Sequence, residues 1–209
     1  KTVLKAKTPN LFSAMCIFQF LCSSTKFSLC AALMLVSSRA DAGQQLQMPN
    51  IFGDQMVLQR DKPIQIWGRA EADNTITVSF AGNSRAAIAD SEGKWEVALA
   101  PMPAQSSGQA LTVKSAEETL VFEDVLVGDV WLCSGQSNME WRLRSSRDAD
   151  LEIPSSNSPG LRYLRIRPEG SPEPRENFPR EKGDGVWLQC NPETAGDCSG
   201  VAYFFGQRL

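Results

Sequence analysis

Between Met48 and about Glu123, apolar and polar residues alternate in short runs separated by turns. Residues 63–67 alternate and end at Gly68, and residues 75–80 set Ile76, Val78 and Phe80 against Thr75, Thr77 and Ser79. Side chains of a strand point alternately to its two faces, so this pattern predicts strands that each bury one side. Residues 81–83 predict a hairpin turn into 84–89, and Asp90 to Gly93 a second turn into 94–99. Runs at 110–114 and 119–122 complete the set, and strands at this spacing predict an antiparallel β-sandwich. Trp67 and Trp95 lie in alternating strands and are expected in the core, with stacking on a sugar face as the other reading. Asp54, Asp61 and Asp73 stand in turn contexts, where an aspartate bonds its own backbone, so nothing in this region points to chemistry.

The pattern changes at Asp124. Residues 125–133 are apolar apart from Gly128 and Asp129, which predicts a strand buried on both faces, as in a parallel sheet. Cys133 at its end reads as a small buried hydrophobe. Ser134-Gly135-Gln136-Ser137-Asn138 follows, and residues 139–144 suit the opening of a helix. Residues 161–166 alternate again, consistent with a strand after a crossover, and 167–185, rich in Pro, Glu and Gly, read as a long surface loop. Ser199 is placed to cap a last helix whose apolar contacts come from Val201, Ala202, Phe204, Phe205 and Leu209.

Residues 1–42 follow another logic. A basic start, an apolar run at 27–36 and Ala40-Asp41-Ala42 form an export signal with cleavage expected after Ala42. Lys26 separates two apolar runs, each too short to span a bilayer alone, so no stable membrane association is expected once the leader is removed. The remainder would then be secreted or periplasmic. In that setting Cys190 and Cys198, flanking a short loop, form a possible disulfide, with two unpaired thiols as the alternative.

Composition narrows the chemistry. The 209 residues are 42% hydrophobic and 22% charged, an ordinary globular balance that argues against disorder. A net charge of −3 gives no case for a nucleic-acid partner. There are no histidines, so these residues alone complete neither a Ser-His-Asp triad, nor a Cys-His pair, nor a His-ligated metal site. No metal or cofactor is called for.

One place is suited to chemistry. An apolar strand, a loop containing Gly135 and a helix start are a geometry for an exposed, activated serine. Ser137 is the candidate nucleophile and its own N–H a candidate oxyanion donor, with Gly135, Gln136 and Asn138 forming the rest of the loop. Ser134 competes for the role but precedes the turn, and Ser137 or Asn138 would equally serve as a helix cap. Trp141 is a candidate for lining a substrate pocket.

The block Gly135-Gln136-Ser137-Asn138-Met139 resembles the first conserved block of SGNH-type carbohydrate esterases. Its lead-in from Asp124 through Trp141, the segment 48–63 and the C-terminal segment 199–209 are all similar to the sialate O-acetylesterase family, in family order. The resemblance implies an accessory β-sandwich domain at 43–124, then at 125–209 the first part of a three-layer α/β, flavodoxin-like esterase domain. It also implies an O-acetylated sugar or glycan as substrate and Ser137 as the group that attacks the acetyl ester. In the family a histidine takes the serine proton, an aspartate orients it, and later Gly and Asn residues complete the oxyanion hole. Those later blocks have no counterpart before Leu209, so the chain is expected to be the N-terminal part of an esterase, inactive by itself. Gln55 stands where many members have His, and Cys198 where a bulky apolar residue is expected. An acetylxylan esterase, and a carbohydrate-binding module carrying an esterase remnant, are the competing readings.

Overall fold

The computed structural model describes residues 45–181 and 184–209. The leader expected at 1–42, with Cys16, Cys22 and Cys30, lies outside the described residues. The strands are β1 (Val57–Gln59), β2 (Ile64–Arg69), β3 (Thr75–Phe80), β4 (Asn83–Ile88), β5 (Lys94–Leu99), β6 (Gln105–Lys114) and β7 (Thr119–Gly128). After them come α1 (Ser137–Glu140), α2 (Ala149–Ser155), β8 (Ser158–Leu164), β9 (Trp187–Cys190) and α3 (Gly200–Gly206). The result is a curled mixed sheet with few helices.

Alternation decides which faces are buried. Ile76, Val78 and Phe80 on β3, Trp95, Val97 and Leu99 on β5, and Ile64 and Ile66 on β2 all point into one apolar cluster. A five-stranded sheet in the order β1-β7-β6-β3-β4 and the β2–β5 pair both feed that cluster. Trp95 is buried, and a methyl group at Gly68 would sit 2.8 Å from its ring, so the glycine is what lets the indole pack there. Trp67 departs from its expected core position. The strand turns it to the outer face, where it stays 41% exposed.

The β3–β4 hairpin closes through two residues with positive φ, Ala81 at 48° and Gly82 at 77°. That backbone twist matches the twist of the paired strands. Asp61 and Asp73 also have positive φ, as does Asp124, in line with the tolerance of aspartate for this conformation. One part of the pattern was not antiparallel. β1 runs parallel to β7, with Val57, Leu58 and Gln59 opposite Leu126, Val127 and Gly128, so the sheet is mixed.

Near the end of β7 the ladder is irregular. Pairing passes from Leu111–Phe122 to Gln109–Val125, which leaves two residues of β7 facing one of β6. Asp124 sits in this bulge with φ 56°, and a methyl group at the facing Gly108 would collide with its carboxylate. Beyond it Val125, Leu126 and Val127 are buried.

The long strand expected over 125–133 stops at Gly128. Val130, Trp131 and Leu132 are exposed, Leu132 to 91%, and Cys133 is exposed rather than buried. A strand buried on both faces needs paired neighbours and covering layers, and among the described residues none flanks 129–136. The crossover strand is corrected too, because β8 pairs antiparallel with β9 in a separate two-stranded sheet. Its residues Leu161 and Tyr163 pack on a second, smaller cluster of Leu143, Cys190, Ala195, Cys198 and Tyr203. The polar stretch after residue 145 holds α2, with Pro154 in its last turn.

Phe80 is among the largest fully buried side chains of the first cluster. Truncation to Ala removes most of a buried aromatic ring and leaves a cavity, so Phe80→Ala is expected to lower the unfolding free energy by about 3–5 kcal/mol. Urea titration of the two proteins checks this, and a change below about 1 kcal/mol would mean that the site is not a packed core.

Candidate active site

The chain enters the candidate loop from a tethered point. Arg60 Nε donates to Asp129 Oδ1 at 2.9 Å, and the Val130 N–H donates to Gln59 Oε1 at 3.0 Å. The Arg60 hydrogen bond holds the Asp129 carboxyl below the usual carboxylate range. From there residues 130–136 cross the surface without regular structure.

Ser137 is the first residue of α1 and is exposed. Its predicted helix begins two residues earlier than expected and is a single turn, closing with the Trp141 N–H donating to Ser137 O at 3.1 Å. The cap position falls to Gln136, whose carbonyl accepts from the Met139 and Glu140 N–H groups, and no side chain caps the turn. The helix-cap reading of Ser137 and Asn138 is therefore not what the structure uses. The Ser137 and Asn138 N–H groups meet no acceptor among the described residues. With only four residues, α1 contributes these local N–H dipoles rather than a helix macrodipole.

Gly135 is needed for close approach, not for an unusual backbone angle. A methyl group on it would lie 2.5 Å from Met139 Cγ, so the loop folds back against its own helix turn. Gln136 and Asn138, like Ser134, are exposed beside Ser137. Trp141 is exposed as well, with its Nε1–H donating to Ser145 O at 2.9 Å.

The far end of α1 is pinned. Gly200 N–H donates to Trp141 O at 2.8 Å and Leu143 N–H to Cys198 O at 2.9 Å, bridging Arg142 with Ser199. Asp197 takes both Arg142, at 2.5 Å, and Arg144. Leu143 is fully buried in the second cluster. Ser199 caps α3 as expected, its Oγ accepting from the Ala202 N–H at 3.4 Å. The buried face of α3 is different from the one read in the pattern. Tyr203 and Gly200 face inward while Val201, Phe204, Phe205 and Leu209 are exposed, and Phe205 meets Trp131 edge-on at 5.2 Å.

Cys190 and Cys198 share the second cluster as buried free thiols. Burial pushes the Cys198 thiol up to about 12 and raises Cys190, and it pushes Tyr163 up to about 12. Among the described residues no group of Cys, Asp and Glu is arranged to hold a metal. The residues that sequence reading missed are those that position the loop, Arg60, Gln59 and Asp197. Only Asp129, charged inside an apolar run, marked any of them beforehand.

Curated relatives agree on one identity. The rat sialate O-acetylesterase is 29% identical over 197 residues, covering 85% of this chain and 36% of the relative. The human sialate O-acetylesterase is 28% identical over 193 residues, with the same two coverages. A solved carbohydrate acetylesterase from Xanthomonas citri superposes with a TM-score of 0.74 at 35% identity, over 79% of this chain and 37% of that one. The chain resembles the sialate O-acetylesterase family. No family model matches it. It spans about a third of the length of the curated sialate O-acetylesterases it matches.

Two measurements test this geometry. The folded state keeps Cys198 protonated to about 12, whereas an unfolded thiol ionises near its ordinary value of 9.0, so the unfolded chain releases the proton first. Stability is thus expected to fall as pH rises through 9 toward 12, and Cys198→Ala is expected to flatten part of that fall in denaturation curves. Separately, Gly135→Ala forces Met139 aside and is expected to cost about 1–3 kcal/mol. Adding Met139→Ala should recover most of it, and additive effects in the double-mutant cycle would show that the contact is absent.

Proposed function

We propose that the chain carries the nucleophile of a carbohydrate O-acetylesterase, with Ser137 attacking acetyl esters on sugars. The observation that carries this reading is an exposed Ser137 at the start of α1, whose own N–H and that of Asn138 meet no acceptor among the described residues. A serine serving only to pack or cap would be buried or bonded to the turn. The relatives' names, sialate O-acetylesterase and carbohydrate acetylesterase, support an O-acetylated sugar, such as an O-acetylated sialic acid, as substrate.

In this reading the Ser137 Oγ bonds to the acetyl carbon as its proton passes to a base. The carbonyl oxygen gathers negative charge near the Ser137 N–H, and collapse expels the sugar oxygen, which takes up the proton. Water then releases acetate from the acyl-serine by the same steps. The 209 residues contain no histidine to act as the base, so the proton acceptor and the rest of the oxyanion hole come from other polypeptide. Residues 43–124 are then an accessory β-sandwich, and 125–209 the opening part of a three-layer α/β esterase domain that acts outside the cytoplasm. The free thiols at Cys190 and Cys198 are close enough in the fold to share a cluster, and an oxidised pair there would tie β9 to the start of α3.

The test has two arms. The purified 209-residue chain should hydrolyse an aryl acetate no faster than its Ser137→Ala variant, because a serine without a base is almost wholly protonated. In a polypeptide that also contains the acceptor, Ser137→Ala should lower kcat by on the order of 10⁶. A loss below tenfold there would remove Ser137 from the reaction, and Ser137-dependent turnover in the first arm would reveal a base within the chain.

A further inference from the structure

We propose that a cleft floored by Trp67 binds a neutral pyranoside unit of a glycan, at a place separate from Ser137. The cleft, about 480 Å³, lies between the outer face of β2 and residues 166–179, with Pro49, Ile51 and Phe178 beside the indole. Neither Ser137 nor Trp141 lines it. The proposal therefore stands apart from the acyl-transfer reading.

Trp67 breaks the economy of its strand. Ile64 and Ile66 bury their side chains, but Trp67 leaves a large apolar ring facing the cleft. Phe52 meets that ring edge-on, with centroids 4.8 Å apart and planes at 73°, which holds the indole in one orientation. The cleft walls are held equally firmly. Asn50 N–H donates to Asn177 Oδ1 at 2.8 Å, and Asn50 Nδ2 donates to Phe178 O at 2.6 Å. Arg180 donates to Phe52 O at 2.6 Å, and Trp187 Nε1 donates to Ile51 O at 2.7 Å. A surface held this way loses little freedom when a ligand arrives.

The charge pattern selects the ligand. Arg69 pairs with Glu176 at 3.1 Å, Arg175 with Glu169 at 2.7 Å, and Arg167 with Glu181. The rim is rich in charge, yet each of these guanidinium groups already has a carboxylate. An anionic ligand would have to break a pair and would meet Glu173, which makes no ion pair among the described residues, whereas a sugar hydroxyl both donates and accepts and can join a pair. An aromatic floor covering the C–H face of a pyranose, ringed by planar donors and acceptors for its hydroxyls, fits a neutral sugar.

Titration of the 209-residue chain with xylotriose and with cellotriose, followed through the indole N–H signals in ¹⁵N–¹H NMR spectra, tests this. The Trp67 signal, assigned with Trp67→Phe, is expected to move with at least one trisaccharide while that of Trp95 stays put. Followed through the backbone N–H signals of the cleft residues in the same spectra, Trp67→Ala is expected to raise Kd about tenfold or more, a loss of about 1.4 kcal/mol. Arg175→Ala removes an exposed pair on which the fold does not depend, and is expected to raise Kd about threefold, so it decides the matter should Trp67→Ala fail to fold. No shift up to about 50 mM of either trisaccharide, shifts unchanged by Arg175→Ala, or binding of methyl N-acetylneuraminide alone would each overturn the proposal. Because the readout is binding, it fails independently of any result on ester hydrolysis.

Discussion

One withdrawn ion pair at a bulge joins β8 to the strand that leads toward Ser137. Arg162, whose side chain is 3% exposed, reaches from β8 to the Asp124 carboxylate at 2.9 Å and also donates to the Asp124 carbonyl. A guanidinium withdrawn from water is costly unless its donors are met, and here a carboxylate and a backbone oxygen on one residue meet them. Asp124 can offer both because the bulge holds it at φ 56°, and Gly108 opposite leaves room for its side chain. The interaction therefore ties β8 to a single point on β7. That point lies just before the chain buries Val125 to Val127 and departs toward Ser137.

Beyond that point the loop is held at both ends and exposed between them. Arg60 and Gln59 fasten residues 129 and 130, and the Trp141, Leu143 and Asp197 contacts fasten the far side of α1. Neither set of contacts covers Val130, Trp131 or Leu132. Exposed Phe205 of α3 meets Trp131 edge-on and so extends this apolar surface beside the candidate loop. Isolated exposed apolar residues are ordinary, but three in succession are the kind of surface that other protein covers.

What the sequence made legible follows from the range of the forces involved. The strands at 75–80 and 94–99 came out residue for residue, because alternation is a local signal and both have one face in the main cluster. The hairpin at Ala81-Gly82 and the Ser199 cap were legible for the same reason, since each is decided within four residues. The run at 125–133 misled because its hydrophobicity reports how it would be buried in a covered sheet, not whether the cover is among these residues. Trp67 misled in the opposite sense. Alternation correctly assigned it the face opposite Ile66, but the presumption that a tryptophan belongs in the core overrode the period. The Arg162–Asp124 link spans 38 positions and has no local signature at all. Ser137 was legible as a candidate from the apolar run, the Gly135 loop and the helix start, and the family pattern of its neighbours strengthened that reading; its exposure is a tertiary fact.

The lack of histidine then becomes a constraint on how the site is assembled rather than a mark against it. A serine hydroxyl needs only to be presented, and presentation is a local matter of one glycine against one methionine and a turn of helix. Deprotonation is not local, because the acceptor must sit within hydrogen-bond reach while staying basic, which calls for a second, independently positioned element. The backbone bridges from Trp141 and Leu143 to the start of α3 hold the far end of α1 in place. In the proposed reading these bridges occupy the far side of α1 and leave Ser137 and the exposed run that begins at Val130 open to such an element. On that proposal the local fold presents the hydroxyl, and its reactivity depends on the separately positioned base.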